Sequence, residues 1–134
     1  MLTARIKKVL LADDDASIRR LIRTVLEKSG YLVFEARNGA EAVCKASEHL
    51  PDLIILDMNM PILDGFGAVK VLRSDPQFAA TPIVAISAST IRDEHDSAFA
   101  GGFSSHVAKP MTLTELRSEA ERWLGRELAH ASRR

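Results

Sequence analysis

A single cysteine, Cys44, excludes an internal disulfide framework, and a reducing cytoplasm is the compartment that such usage suggests. Nor does either sign of charge dominate: eighteen Lys and Arg balance eighteen Asp and Glu. That balance removes the basic footprint of a nucleic-acid binder, and no block of like charge marks a tail. The longest apolar runs fall far below the roughly 20 residues that cross a bilayer. The opening Met1-Leu2-Thr3-Ala4-Arg5 lacks the apolar stretch of a secretory leader. No repeat, low-complexity tract or linker interrupts the chain. What is left is one domain over 1–134, with 46% apolar residues, large enough for a real core.

What is present is an alternation of strand and helix patterns. Lys7–Ala12 reads as a buried strand, followed by Ile18, Leu21, Ile22, Val25 and Leu26 on one helical face. Gly30 stops that helix. Leu32–Ala36 reads as a second strand, and Asn38 as the cap of a helix with Ala42, Val43 and Ala46 inside. That helix ends before Pro51. Leu53–Asp57 reads as a strand buried on both faces. Pro61 to Gly65 is a loop, and Phe66, Val69 and Leu72 mark a helix that stops near Asp75-Pro76. Ile83–Ser87 is a fourth strand, followed by a weaker helix from about Ile91 to Ala100. A short fifth strand lies near His106–Ala108. The last helix uses Leu113, Leu116, Ala120, Trp123, Leu124 and Leu128, and Thr112 with Glu115 forms a capping-box pattern at its start. Cys44 is expected to pack on the second helix. The whole is an α/β chain, a doubly wound three-layer sandwich of flavodoxin-like (βα)5 type with parallel strands in the order 2-1-3-4-5.

In such sheets ligands bind beyond the carboxyl ends of the strands. The apolar runs end there in Asp13-Asp14-Asp15, Asp57, Ser87 and Lys109-Pro110. Carboxylates gathered together raise one another's pKa unless a cation neutralises them. Magnesium takes hard oxygen ligands. Asp14 and Asp57 could supply two, the backbone carbonyl of Asn59 a third, and Asp13 would act through water. Asp57 would be the nucleophile, with Lys109 and Ser87 contacting the oxygens of an incoming phosphoryl group. Asp15, with Ser17 close behind, is expected to cap the first helix instead. Each residue alone has a bland explanation as a cap or a solvated turn, but all of them fall at the ends of predicted strands.

Together these stretches resemble a response-regulator receiver domain of two-component signalling. The matching text is Val9-Leu10-Leu11-Ala12-Asp13-Asp14-Asp15, Asp57-Met58-Asn59-Met60-Pro61 with Asp64-Gly65, Ser87-Ala88 and Lys109-Pro110, across about residues 6–125. The resemblance implies a signalling protein rather than a conventional enzyme. Asp57 would be the phosphoacceptor and Asp13 and Asp14 the acidic pair. Ser87 would be the switch hydroxyl and Lys109 the phosphate-binding lysine, its bond to Pro110 cis. Magnesium would be the cofactor, with manganese as a substitute. The donor would be a histidine kinase or a histidine phosphotransfer protein. Output would pass through a further protein contact or onward phosphotransfer in a relay, by a monomer, with no nucleic acid or membrane involved.

The resemblance also makes Ala88 a small residue that leaves the phosphate open, and places Asn59 and Ser89 beside it. His106 stands where such domains more usually carry a Tyr or Phe switch ring. Arg19, Arg20 and Arg23 on the first helix would form the face that docks the donor. A haloacid-dehalogenase-type phosphatase needs an aspartate where Asn59 stands. A flavodoxin-like electron carrier needs a neutral phosphate loop where Asp13-Asp14-Asp15 stand. The alternative from another class is a degenerate receiver that docks proteins without phosphorylation. The full set of Asp13, Asp14, Asp57, Ser87 and Lys109 argues against it.

Overall fold

A computed structural model describes residues 5–87 and 102–125. Five parallel strands, β1 (Lys8–Ala12), β2 (Leu32–Ala36), β3 (Leu53–Asp57), β4 (Ile83–Ser87) and β5 (Ser105–Ala108), pair in the order β2-β1-β3-β4-β5. Among the described residues four helices cover them: α1 (Ala16–Lys28), α2 (Gly39–His49), α3 (Gly65–Arg73) and α4 (Leu113–Leu124). The expected helix over 91–100, with Ala88, Ser89 and Leu128, lies outside the described residues.

The side-chain alternation of the strands builds two cores, one on each face of the sheet. Leu10, Ile54, Leu56 and Ile83 turn toward Ala42, Ala46, Val69 and Leu72 of α2 and α3. Val9, Leu11, Ile55 and Val84 turn the other way, toward Ile22, Leu26, Leu116 and Ala120 of α1 and α4. This is the three-layer sandwich expected from the sequence, and the third and fourth strands are buried along their whole length.

The predicted caps form. Asp15 accepts from the Ser17 and Ile18 N–H groups, Asn38 from Glu41 N–H, and Thr112 and Glu115 close a reciprocal capping box. Three expectations need correction. Leu21, assigned to the inner face of α1, is 53% exposed, because the buried arc of that helix is only wide enough for Ile22 and Leu26, with Ile18 at its margin. Cys44 is exposed rather than packed. It stands two residues from both Ala42 and Ala46, a spacing that points it away from the buried side of α2. Gly65, read as loop, is already the first residue of α3.

The loop between β3 and α3 folds back on the sheet. Gly65 N–H donates to Met58 O at 3.2 Å, and a Cβ on Gly65 would come within 2.7 Å of Asp57 O. Leu63 N–H donates to Pro61 O at 2.7 Å across Ile62, whose φ of 71° is a conformation that β-branched residues rarely adopt. Gly39 N–H holds Leu63 O at 2.8 Å from the start of α2. The turn beyond the third strand is thus tied down at several points.

Candidate functional site

Strand register brings the reactive residues to one end of the sheet. Ala12 pairs with Leu56, so Asp13 follows at the level of Asp57. Asp57 pairs with Ile86, and Ser87 with Ala108. Ser87 and Lys109 therefore sit one step further along, at the same carboxyl edge.

One carboxylate oxygen each from Asp13, Asp14 and Asp57 lies within 4.8 Å of the others. Asp13 and Asp57 are buried, while Asp14 is exposed. The Lys109 ammonium stands between the two buried ones, 3.4 Å from Asp57 Oδ2 and 3.6 Å from Asp13 Oδ2. Asn59 N–H donates to Asp57 Oδ1 at 3.1 Å. Asp15 N–H donates to Asp13 Oδ1 at 2.9 Å. Asp13 Oδ2 is buried with no hydrogen-bond donor. Burial raises the Asp13 carboxyl above its ordinary range, and the neighbouring Asp57 charge adds to this against the Asp15 N–H and Lys109.

Three hard carboxylate oxygens, one of them a buried acceptor lacking a donor, fit a divalent cation that prefers oxygen ligands. A buried acceptor left without a partner costs free energy, and a cation or its bound water would satisfy it. Ser87 is fully buried at the end of β4, and Lys109 N–H donates to its carbonyl at 2.6 Å. The Lys109-Pro110 bond is cis. His106 is half-buried on the edge strand β5.

Two of the α1 arginines make contacts within the molecule. Arg19 donates to Glu35 Oε1 at 2.7 Å and to the Asp13 carbonyl at 2.7 Å. Arg23 donates to Glu35 Oε2 at 2.5 Å and to Glu27 at 2.9 Å. Burial works against Glu35 ionisation, but the hydrogen bonds from Arg23 and Arg19 outweigh it and hold the carboxyl below its ordinary range. Arg19 is largely buried by these contacts, whereas Arg23 stays 43% exposed and Arg20 is exposed. Beside these polar residues, α1 also presents an apolar strip. Ile18, Leu21 and Ile22 line a groove of about 500 Å³ with Pro110, Met111 and Leu113, and Lys109 stands in its wall. Periodicity hid this groove by counting Leu21 as core. Glu35 went unnoticed because nothing in a single sequence links a strand-end glutamate to a helix sixteen residues before it.

Residues 9–121 match the family model of the response regulator receiver domain. The polar-differentiation response regulator DivK of Brucella anthropi is 30% identical over 119 residues, covering 89% of this chain and 97% of that protein. Among solved structures, the chemotaxis protein CheY4 of Vibrio cholerae is similar with a TM-score of 0.85 and 34% identity, over 89% of this chain and 99% of that one. The receiver domain of a sensor histidine kinase of Pseudomonas aeruginosa, solved with a magnesium ion coordinated in its active-site cleft, has a TM-score of 0.83 and 28% identity. That match covers 90% of this chain and 99% of the other.

Proposed function

The chain belongs to the response regulator receiver family of two-component signalling, and from that premise we propose that it is a phosphoacceptor switch in which Asp57 takes the phosphoryl group. Receiver domains are signalling proteins. They bind magnesium at an acidic pocket and engage histidine kinases or phosphotransfer proteins and downstream targets. The observation that carries the reading for this chain is the buried Asp13–Asp57 pair, bridged by Lys109 and flanked by Asp14.

Asp14, Asp57 and the Asn59 carbonyl would hold magnesium directly, and Asp13 through water. Bound there, the ion supplies positive charge that shields the phosphoryl oxygens from the carboxylates. A carboxylate oxygen of Asp57 attacks phosphorus in line with the donor imidazole. The new O–P bond forms as the P–N bond breaks, and the ring nitrogen leaves with the electron pair. Asn59 N–H fixes the orientation of the Asp57 carboxylate. The Lys109 ammonium, already within reach of Asp57, follows the charge onto a phosphoryl oxygen. Ser87 donates its hydroxyl to another phosphoryl oxygen, and His106 on the adjoining strand responds to that movement. The family pattern assigns Ala88 as the small residue that leaves the phosphoryl group open, and Asn59 and Ser89 as the residues that tune its lifetime. In hydrolysis, water attacks phosphorus and the Asp57 carboxylate leaves.

The donor, a cytoplasmic histidine kinase or phosphotransfer protein, docks through a helix laid in the apolar groove of Ile18, Leu21, Pro110 and Met111. Lys109 lines that groove and also reaches Asp57 at 3.4 Å, so a partner seated there would lie beside the cleft. The exposed Arg20 of α1 stands on the same helix and could add to this contact.

Intact-mass analysis after incubation with acetyl phosphate tests the reading. The expected result is one added phosphoryl group that requires magnesium and is lost in Asp57→Asn. No adduct, together with no magnesium or beryllofluoride binding, would favour a docking module that works without phosphorylation.

A further inference from the structure

The polar groups of Asp13 are almost all committed. Its N–H donates to Ala36 O at 3.1 Å, its carbonyl accepts from Arg19 Nη1 at 2.7 Å, and its Oδ1 accepts from Asp15 N–H at 2.9 Å. Only Oδ2 is left facing the cleft. The carbonyl that Arg19 holds lies in the rigid peptide plane between Asp13 and Asp14. Turning that plane would move both carboxylates of the acidic pair.

Arg19 can do this because its own charge is answered. Its side chain is only 12% exposed, and Nε donates to Glu35 Oε1 at 2.7 Å. Glu35 is in turn fixed by Arg23 at 2.5 Å and by its place on β2, opposite Leu11 of β1, while Lys45 holds its main-chain carbonyl at 2.6 Å. A strut therefore runs from β2 through α1 to the loop that carries the acidic pair. A planar guanidinium presents its donors in a fixed fork, so it can hold a carboxylate and a carbonyl at once. A lysine, with its charge at one point, does this less well.

We propose that Arg19, anchored by Glu35, is a positioning residue that sets the Asp13–Asp14 peptide for cation binding. This rests on the reading of the cleft as a magnesium-dependent phosphoacceptor site. It acts through Asp13 and touches neither phosphoryl group nor metal.

The test is a magnesium titration of the folded protein, followed by amide chemical shifts at constant ionic strength, with circular dichroism and thermal melting as controls. Outer partners of metal ligands are typically worth roughly 10- to 100-fold in affinity, so Arg19→Gln is expected to weaken magnesium binding by about tenfold while keeping the native spectrum. Arg19→Lys is expected to recover part of the loss, and Glu35→Gln to weaken binding in the same direction. A folded Arg19→Gln protein whose affinity stays within about twofold of wild type, below the usual range for such partners, would overturn the inference. Tighter binding would overturn it too, since the guanidinium would then act only as a repelling charge. If Arg19→Gln does not fold, Glu35→Gln decides by the same two outcomes. A wild-type protein with no saturable magnesium binding would remove the phosphoacceptor reading and this inference with it. Normal wild-type binding with unchanged variants would remove the inference alone.

Discussion

At the scale of single residues, Asp13 carries a conflict that a cation resolves. Burial and the Asp57 charge raise its carboxyl, so the folded state holds that proton more tightly than the unfolded chain. The stability linked to this group is fully present below the ordinary aspartate range and is lost as pH rises through the raised value. At neutral pH an ionised Asp13 is therefore a standing cost to the metal-free fold. Asp13→Asn removes the charge and keeps an oxygen for Asp15 N–H. Thermal melting without magnesium should give the variant a higher Tm than wild type at pH 7. The gap should narrow as the pH falls into the acid range, and magnesium should raise the variant's Tm less. A lower Tm for the variant at pH 7 would contradict this reading.

At the scale of elements, one side chain ties together segments that no hydrophobic pattern connects. Arg73, in the last turn of α3, donates to Phe78 O at 2.6 Å, Thr81 O at 2.8 Å and Gly102 O at 2.8 Å, and reaches Ser104 Oγ at 3.3 Å. These acceptors flank the starts of β4 and β5, at the end of the sheet opposite the cleft. Hydrogen bonds to a charged donor count for more than neutral ones, so Arg73→Ala should cost about 2 to 3 kcal/mol in urea unfolding. Magnesium affinity should be unchanged, and a loss of both together would mean that the two ends of the sheet are coupled. The staple was not legible beforehand. The strands were, because their apolar runs are bounded by turn residues, and the third and fourth match their expected bounds at both ends. The caps were legible too, since Asp15, Asn38 and Thr112 act on backbone within a few residues. Leu21 and Cys44 went astray because apolar spacing tells which residues could be buried, while the width of the buried arc depends on the neighbouring helix.

At the scale of the molecule, the site follows from topology. Parallel strands deliver their carboxyl ends to one edge, and the switch between β1 and β3 puts Asp13 and Asp57 side by side. Sequence order was enough to foresee that convergence, because each reactive residue ends its own strand or closely follows it. The Arg19–Glu35 strut and the apolar groove beside Lys109 were not foreseeable. Both depend on how α1 lies against β2 and α4, and a single sequence does not encode that packing in any local pattern. The convergence at Asp57 can be tested at the atom that matters. Borohydride reduces an aspartyl phosphate to the homoserine alcohol. After acetyl phosphate, magnesium and borohydride, tandem mass spectrometry of the digested protein should find homoserine at position 57 and at no other aspartate. Homoserine at position 13 or 14, or none at 57 while beryllofluoride still binds, would contradict the assignment.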